Sequence, residues 1–473
     1  MVRFAPEGQR PADMLTDSQG LPVANADAAT IEALDHVLGQ WLGYGKDFAP
    51  FMMMAERASD VPLVQMQAAA LNITMDEPAA HQAAGAQLAL AQARQADMTA
   101  RERAWLQAIS AWHDGALDGA AAAFEEMASA WPRDLFAAKL GQLAHFNLGN
   151  AEGMLRISEA IGPANRDVGY VYGMRAFALE ELNRLDEAEA DARRAVAINR
   201  SDPWAHHAAA HVMETQGRIE DGIAWMEGLA DTWDACNSFM YTHNWWHTAL
   251  FYIDSDRPEQ ALALYDNRVW GVWKTFCQDQ INAISLLARL ELRGVDAGDR
   301  WRDIATYLVP RLHEHFSPFL DLQYLYGLAR AGEGAAVTEM LASLEDRAGR
   351  ARPFERTAWV EAAVPAAHGV VAHAKGDWGT AARLLGDALP HLQVIGGSHA
   401  QRALFGALWL DALIKAQWND RALAALVAND HARGNIAHTK RDLATIYDRL
   451  GRAEDALTAR QQAERLTRRY RAA

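Results

Sequence analysis

The feature that most constrains this chain is a period. Gly115, Gly149, Asn183 and Gly217 follow one another at intervals of 34 residues. Each stands between two apolar-periodic stretches, in WHDGALDGAAAAFEEM, FNLGNAEGMLRI, EELNRLDEAEADARRAV and ETQGRIEDGIAWMEGL. Glycine and asparagine tolerate the left-handed backbone that closes a helix, so each marks a helix–turn–helix unit. Small residues at Ala120, Ala188 and Gly222 let the paired helices approach closely, and Pro132 and Pro203 fall where one helix has ended or the next begins. From about Thr30 onward the segments are rich in Ala, Leu, Glu and Arg, with apolar residues at helical spacing. Alternating Val/Ile/Thr stretches are absent, so the chain is expected to be all-α.

The period resembles that of the tetratricopeptide repeat, whose pattern Trp105, Ala108, Ala120, Phe124 and Pro132 match best. The resemblance implies a right-handed tetratricopeptide-type superhelix of helix hairpins with degenerate terminal repeats. The unit around Gly149 departs from the pattern, with Gln142 where a small residue is usual. A fifth unit begins near Thr242, but its turn in DSDRPEQAL comes 39 residues after the previous one. Its first helix, or the linker before it, must be longer. Later turns fall at Gly376 and Gly451. Three regions follow: an extended segment over 1–29, punctuated by Pro6, Pro11, Gly20 and Pro22; helical repeats over 30–300; and degenerate repeats over 301–473 closing the superhelix.

A net charge of −16 repels phosphate backbones, which excludes nucleic acid as an expected partner. The basic run Arg465, Arg468, Arg469 and Arg471 is read as a helix end complementing its own dipole. Two cysteines, Cys236 and Cys277, make no disulfide framework, and Cys236 is read as an inert buried thiol. No window approaches about 18 apolar residues, and the N-terminus lacks the apolar run of a signal peptide. A cytoplasmic protein off the membrane is expected. Trp225, Trp233, Trp270, Trp273 and Trp301 are expected to pack between helices.

The chemistry gathers in residues 204–250. His207 and His211 are four apart, about 40° on a helix, and Glu214 returns close to His207. His243 and His247 repeat that spacing. With Gly217 placed at the turn, the groove-facing positions of the repeat fall to Trp204, His207, His211, Glu214 and Thr215. The same positions one unit earlier hold Tyr170, Gly173, Phe177 and Glu180. Gly173 is expected to leave room beside His207, so the histidines should line a concave, aromatic-walled pocket. HEH at 313–315 reads differently: two helical residues two apart diverge by about 200°, which makes no second site.

The segments HAAAHVME (207–214), HNWWH (243–247) and GGSHAQR (396–402) resemble motifs of the tetratricopeptide repeat protein 38 family. Asp202-Pro203-Trp204, the stretch Gly294–Trp301 and Phe319-Leu320-Asp321 extend the similarity over most of the chain. Gln323 stands where relatives often carry a histidine, so no histidine ligand is expected there. The resemblance implies the fold and supplies no biochemical activity.

Three uses of the pocket stay open. In the first, His207, His211, Glu214, His243 and His247 hold a divalent ion, with zinc, manganese or iron suiting such ligands. Glu214 and His211 are then the catalytic candidates, and hydrolysis by a metal-activated water is the simplest reaction. Asp279, Asp321, His399 and Gln401 would be supporting or substrate groups from later helices. In the second, the histidines act without metal on a small molecule, walled by Tyr170, Tyr172, Phe177, Trp204, Trp245 and Trp246, with Asn244 as a further pocket residue. In the third, the chain is a non-enzymatic scaffold whose concave face binds protein partners. Ser398 is expected to cap a helix in GGSHAQR.

Overall fold

A computed structural model describes residues 14–472 of the chain. The chain divides into two compact units, Met1–Ala208 with Ala235–Asn237, and Ala209–Asp234 with Ser238–Ala473. The first unit contains α1 (Ala28–Leu42), α2 (Ala49–Arg57), α3 (Pro62–Ile73), α4 (Pro78–Gln92), α5 (Ala100–His113) and α6 (Leu117–Ala130). It continues with α7 (Leu135–Asn147), α8 (Ala151–Ile161), α9 (Gly169–Glu181), α10 (Leu185–Ile198) and the start of α11 (Pro203–Thr215). The second unit takes the rest of α11 and then α12 (Ile219–Leu229), α13 (Ser238–Asp254), α14 (Pro258–Leu264), α15 (Cys277–Leu292) and α16 (Arg300–Leu308). After these come α17 (Pro318–Ala331), α18 (Gly334–Gly349), α19 (Val364–Ala374) and α20 (Trp378–Ala388). The last four are α21 (His399–Lys415), α22 (Asn419–Arg433), α23 (Ala437–Arg449) and α24 (Ala453–Ala472). Among the described residues the only extended pairings are isolated bridges, Thr16 with Pro22 and Gly45 with Cys236. The fold is all-α and of tetratricopeptide type. Among the described residues, no helix is long and apolar enough to cross a membrane. The expected extended segment lies partly outside the described residues, which begin at position 14.

The period survives in the backbone. Gly115, Gly149, Asn183 and Gly217 have φ of +74°, +66°, +59° and +66°, each joining the two helices of a hairpin. Gly217 needs glycine twice over, because a β-carbon there would stand 2.6 Å from the Arg433 carbonyl oxygen. Asp256 (φ +61°), Gly376 (φ +79°) and Gly451 (φ +72°) turn the later hairpins. The late turn of the fifth unit reflects both a longer first helix, 17 residues in α13 against 13 in α11, and a longer connection before it, 230–237 against 199–202.

Gln142 replaces a small residue with a clamp. It is buried, and its amide donates to the Met154 carbonyl at 3.0 Å and to the Met174 carbonyl at 3.2 Å, tying α7 to α8 and α9. In the first unit, Trp105, Phe124 and Phe136 are wholly buried, and Arg101 bridges Asp134 (2.7 Å) and Asp17 (3.1 Å). In the second, Trp246, Tyr265, Trp301 and Trp359 share one large core. Trp233, Trp270 and Trp301 are buried as expected. Trp225 is only half-buried and Trp273 is 46% exposed, stacked on Phe276 at 5.0 Å in the α14–α15 connection rather than between helices.

Candidate metal centre

Two helices of the second unit bring the histidines together. α11 carries His211 and Glu214, three residues apart and so on one face; α13 carries His243 and His247 one turn apart. The His211 and His247 ring centroids are 4.6 Å apart, and those of His243 and His247 are 4.8 Å apart. The three residues offer ring nitrogens that all lie within 4.8 Å of one another. His207, the other expected ligand on α11, belongs to the first unit.

The surroundings fix how these rings present themselves. His243 Nδ1 is 2.9 Å from Asn282 Oδ1 on α15. Asn282 directs its amide nitrogen to Thr242 Oγ1 at 3.1 Å, so its oxygen is the end facing the ring. His243 therefore donates from Nδ1, which leaves the lone pair on Nε2. Burial, followed by repulsion from His211 against the Asn282 bond, pushes the His243 pKa down to about 3, so the ring is neutral near pH 7. Trp246 stacks on His243 at 5.2 Å and meets His247 edge-on at 4.7 Å.

Glu214 Oε2 lies 3.4 Å from His247 Nδ1. Burial raises the Glu214 pKa against the pull of Arg433. Arg433, on α22, donates to the Glu214 carbonyl at 2.8 Å and to Asp254 Oδ2 at 2.5 Å. Asp254 also lies 3.1 Å from His438 Nε2, and against burial the Arg433 charge and the bond to His438 hold its carboxyl below the usual carboxylate range.

The rings are not exposed to solvent in the way a groove lining would be. His211, His243 and His247 are 1%, 2% and 0% exposed, and Glu214 is 9% exposed. α15 packs over α13 through Asn282, and Arg433 closes over the end of α11. The expected open pocket is a closed cluster.

The other expected site residues separate into distinct groups. Asp279 belongs to the shell behind His243: it accepts from Thr242 Oγ1 (3.3 Å), Ser238 Oγ (3.2 Å) and the Trp273 amide (3.1 Å). Burial pushes its pKa up to about 7. Trp246 and Asn244 are fully buried on α13. His399 is exposed at the first position of α21, and Gln401 forms a capping box with Ser398, as that segment's turn chemistry suggested. Asp321 pairs with His315, away from this cluster's hydrogen bonds.

Tyr170 and Trp204 belong to the first unit, where they line a small cavity with Leu42, Lys139, Met174 and Asp202. Lys139 donates to the Leu42 carbonyl at 3.1 Å and lies over the Tyr44 ring at 3.4 Å; burial depresses its pKa strongly. Gly173 faces Asp202, whose Oδ2 would stand 3.0 Å from a β-carbon there, so the room expected beside His207 is filled. Phe177 packs on Trp204 (4.7 Å) and His207 (5.2 Å), while Tyr172 donates to the Arg166 carbonyl at the surface. Asn282 and Lys139 escaped the sequence reading. Their partners lie 39 and 97 residues away in the chain, and no local spacing announces them.

No family model matches the chain. Solved structures similar to it include the human IFIT1 dimer with m7Gppp-AAAA, 13% identical, TM-score 0.42, covering 92% of this chain and 94% of that one. The APC/C hetero-tetramer Cut9–Hcn1 gives 14% identity and a TM-score of 0.37 over 93% of this chain and 89% of that one. The P58(IPK) TPR domain gives 12% and 0.21 over 79% and 97%.

Proposed function

We propose that this chain is a helical-repeat scaffold that holds a divalent transition-metal ion between α11 and α13. The ligands are His211, His243 and His247, with Glu214 bordering the set. The observation that supports it most is the convergence of three buried imidazoles, one of them kept neutral with its tautomer fixed by Asn282. A tetrahedral ion with bonds of about 2.1 Å spaces its nitrogens about 3.4 Å apart, so the rings need close by only about 1 Å. An imidazole-rich set favours zinc or iron over manganese. Burial favours a closed, stabilising centre over the metal-activated water that hydrolysis requires, and an ion over a larger ligand. Membership of the tetratricopeptide repeat protein 38 family, suggested by HAAAHVME, HNWWH and GGSHAQR, is part of this reading and adds no activity to it.

The test is elemental analysis of untagged protein, followed by chelation and reconstitution with Co(II), whose visible spectrum reports tetrahedral nitrogen ligation. One equivalent of metal is expected in the wild type and none in His211→Ala or His247→Ala. Asn282→Ala, which removes only the ring's orienting partner, should weaken affinity by about 10- to 100-fold. A folded wild type that takes up no stoichiometric zinc, cobalt or iron would abolish the reading.

A further inference from the structure

A second group of side chains, unrelated to the metal reading, stands in the turn between α16 and α17. Residues 312–317 of that turn are not helical, so the helical divergence expected for HEH does not apply. It is held at both ends. Arg311 donates to the Thr275 carbonyl and to Glu314 Oε2, both at 2.6 Å, while Ser317 caps α17 by accepting from the Leu320 amide at 3.3 Å. Between these anchors His315 adopts φ +48°, a left-handed backbone that costs a residue with a β-carbon about 1 kcal/mol. Strain of this kind persists where the surroundings over-determine it, and it gathers at working sites.

The His315 ring joins two groups. Its Nδ1 is 2.6 Å from Asp321 Oδ2 on α17, and its Nε2 is 2.7 Å from Ser343 Oγ on α18. Asp321 is 1% exposed and Trp359 packs edge-on to the ring at 6.2 Å, so ring and carboxylate are fixed together. The same hydroxyl lies 2.9 Å from His313 Nδ1, and His313 Nε2 is 2.8 Å from Glu339 Oε1. A hydroxyl has one proton to donate, so it cannot donate to both rings. The four bonds close when one ring is a cation that donates to Oγ and the other is neutral and accepts from it; the arrangement that serves catalysis is the one in which His315 keeps its proton on Nδ1 toward Asp321 and accepts from Ser343. His313, beside Glu339, is then the imidazolium that donates to Oγ. The hydroxyl thus has a base on one side and a cation on the other. His313 and Glu339 are more than half exposed, so the hydroxyl is reached from solvent.

We propose that Ser343, His315 and Asp321 form a nucleophilic triad that transfers acyl groups from small activated esters to water. Ser343 Oγ attacks the carbonyl carbon, its proton passing to His315 Nε2 and the carbonyl π pair to oxygen. Collapse of the adduct breaks the bond to the alkoxide, which leaves with the proton from His315. Water then attacks the acyl-serine and gives one proton to His315. The Ser343–acyl bond breaks, the carboxylic acid departs, and the serine oxygen regains the proton. Asp321 holds the tautomer and balances the imidazolium, and His313 stabilises charge developing on Oγ.

The full chain is treated with an alkyl fluorophosphonate, which replaces fluoride at phosphorus with the oxygen of an activated serine, and the adduct is mapped by peptide mass spectrometry. A single adduct on Ser343 is expected, absent in Ser343→Ala and formed about 100-fold more slowly in His315→Gln and Asp321→Asn. Circular dichroism checks that each variant is folded; Ser343 is half-buried on α18, so its variant decides the matter should His315→Gln or Asp321→Asn not fold. p-Nitrophenyl acetate should give a burst of one equivalent of nitrophenolate in the wild type only. Folded wild type without an adduct on Ser343, or labelling at equal rate in His315→Gln, would overturn the proposal.

Discussion

At the scale of single residues, burial sets opposing proton linkages side by side. His243 is pushed down to about 3, below the ordinary histidine value of 6.5, so the unfolded chain binds its proton more tightly. Its contribution to stability is fully present above pH 6.5 and is lost as pH falls toward 3. Asp279 is pushed up to about 7 from 3.8, so the folded chain binds that proton more tightly. Its contribution is fully present below pH 3.8 and is lost as pH rises through 7. Between pH 7 and 5 each changes the stability of metal-free protein by about 2 kcal/mol, in opposite directions. Relative to the wild type, His243→Gln should therefore gain about 2 kcal/mol on acidification from pH 7 to 5, and Asp279→Asn should lose about as much. Urea denaturation at the two pH values measures this, and identical pH responses in all three proteins would contradict it. The i, i+4 histidine pairs were legible in the sequence because helix geometry is local. The Asn282 bond and the His315–Ser343–Asp321 group were not: the first spans 39 residues, and the second depends on a turn that a helical reading of HEH conceals.

At the scale of elements, what the period made legible was turn chemistry and close packing. Gly115, Gly149, Asn183 and Gly217 take the left-handed backbone that their spacing implied, and Ala120 and Ala188 are wholly buried. Gly222 shows what the small position is for, because a β-carbon there would lie 2.3 Å from the Phe251 ring of α13. Gly228 sits on the same helix with nothing within 4 Å of its β-carbon position. Gly222→Ala should thus cost about 1–3 kcal/mol by overpacking against the helix that carries His243 and His247. Gly228→Ala should be neutral or stabilising by up to about 1 kcal/mol, the helix preference for alanine. Thermal melts of the two variants test this; equal melting temperatures would mean that the α12–α13 contact yields without cost. Gln142 marks the limit of pattern reading, since the residue that spoiled the repeat match pins three helices through backbone carbonyls that no sequence pattern names.

At the scale of the whole molecule, the face of a repeat is local information and its covering is not. Register assigns His211 and Glu214 to the concave side, but what closes over them comes from α15 and from Arg433, 219 residues beyond Glu214. Burial of the histidines therefore depends on the second unit being assembled, and a bound ion would in turn strengthen that assembly. An ion that binds only the folded state, at about 1,000 times its dissociation constant, adds about 4 kcal/mol. The gain belongs to the openings that break the site, so its distribution along the chain is informative. Hydrogen exchange followed by mass spectrometry should show chelator speeding exchange in α13 and in the α15 segment around Asn282, with α5 and α6 of the first unit unchanged. Uniform acceleration over both units would indicate that chelation acts on global unfolding rather than at the cluster. No change anywhere, in protein shown to have lost its metal, would mean that hydrogen bonds and packing hold the α11–α13–α15 contact without help from the ion.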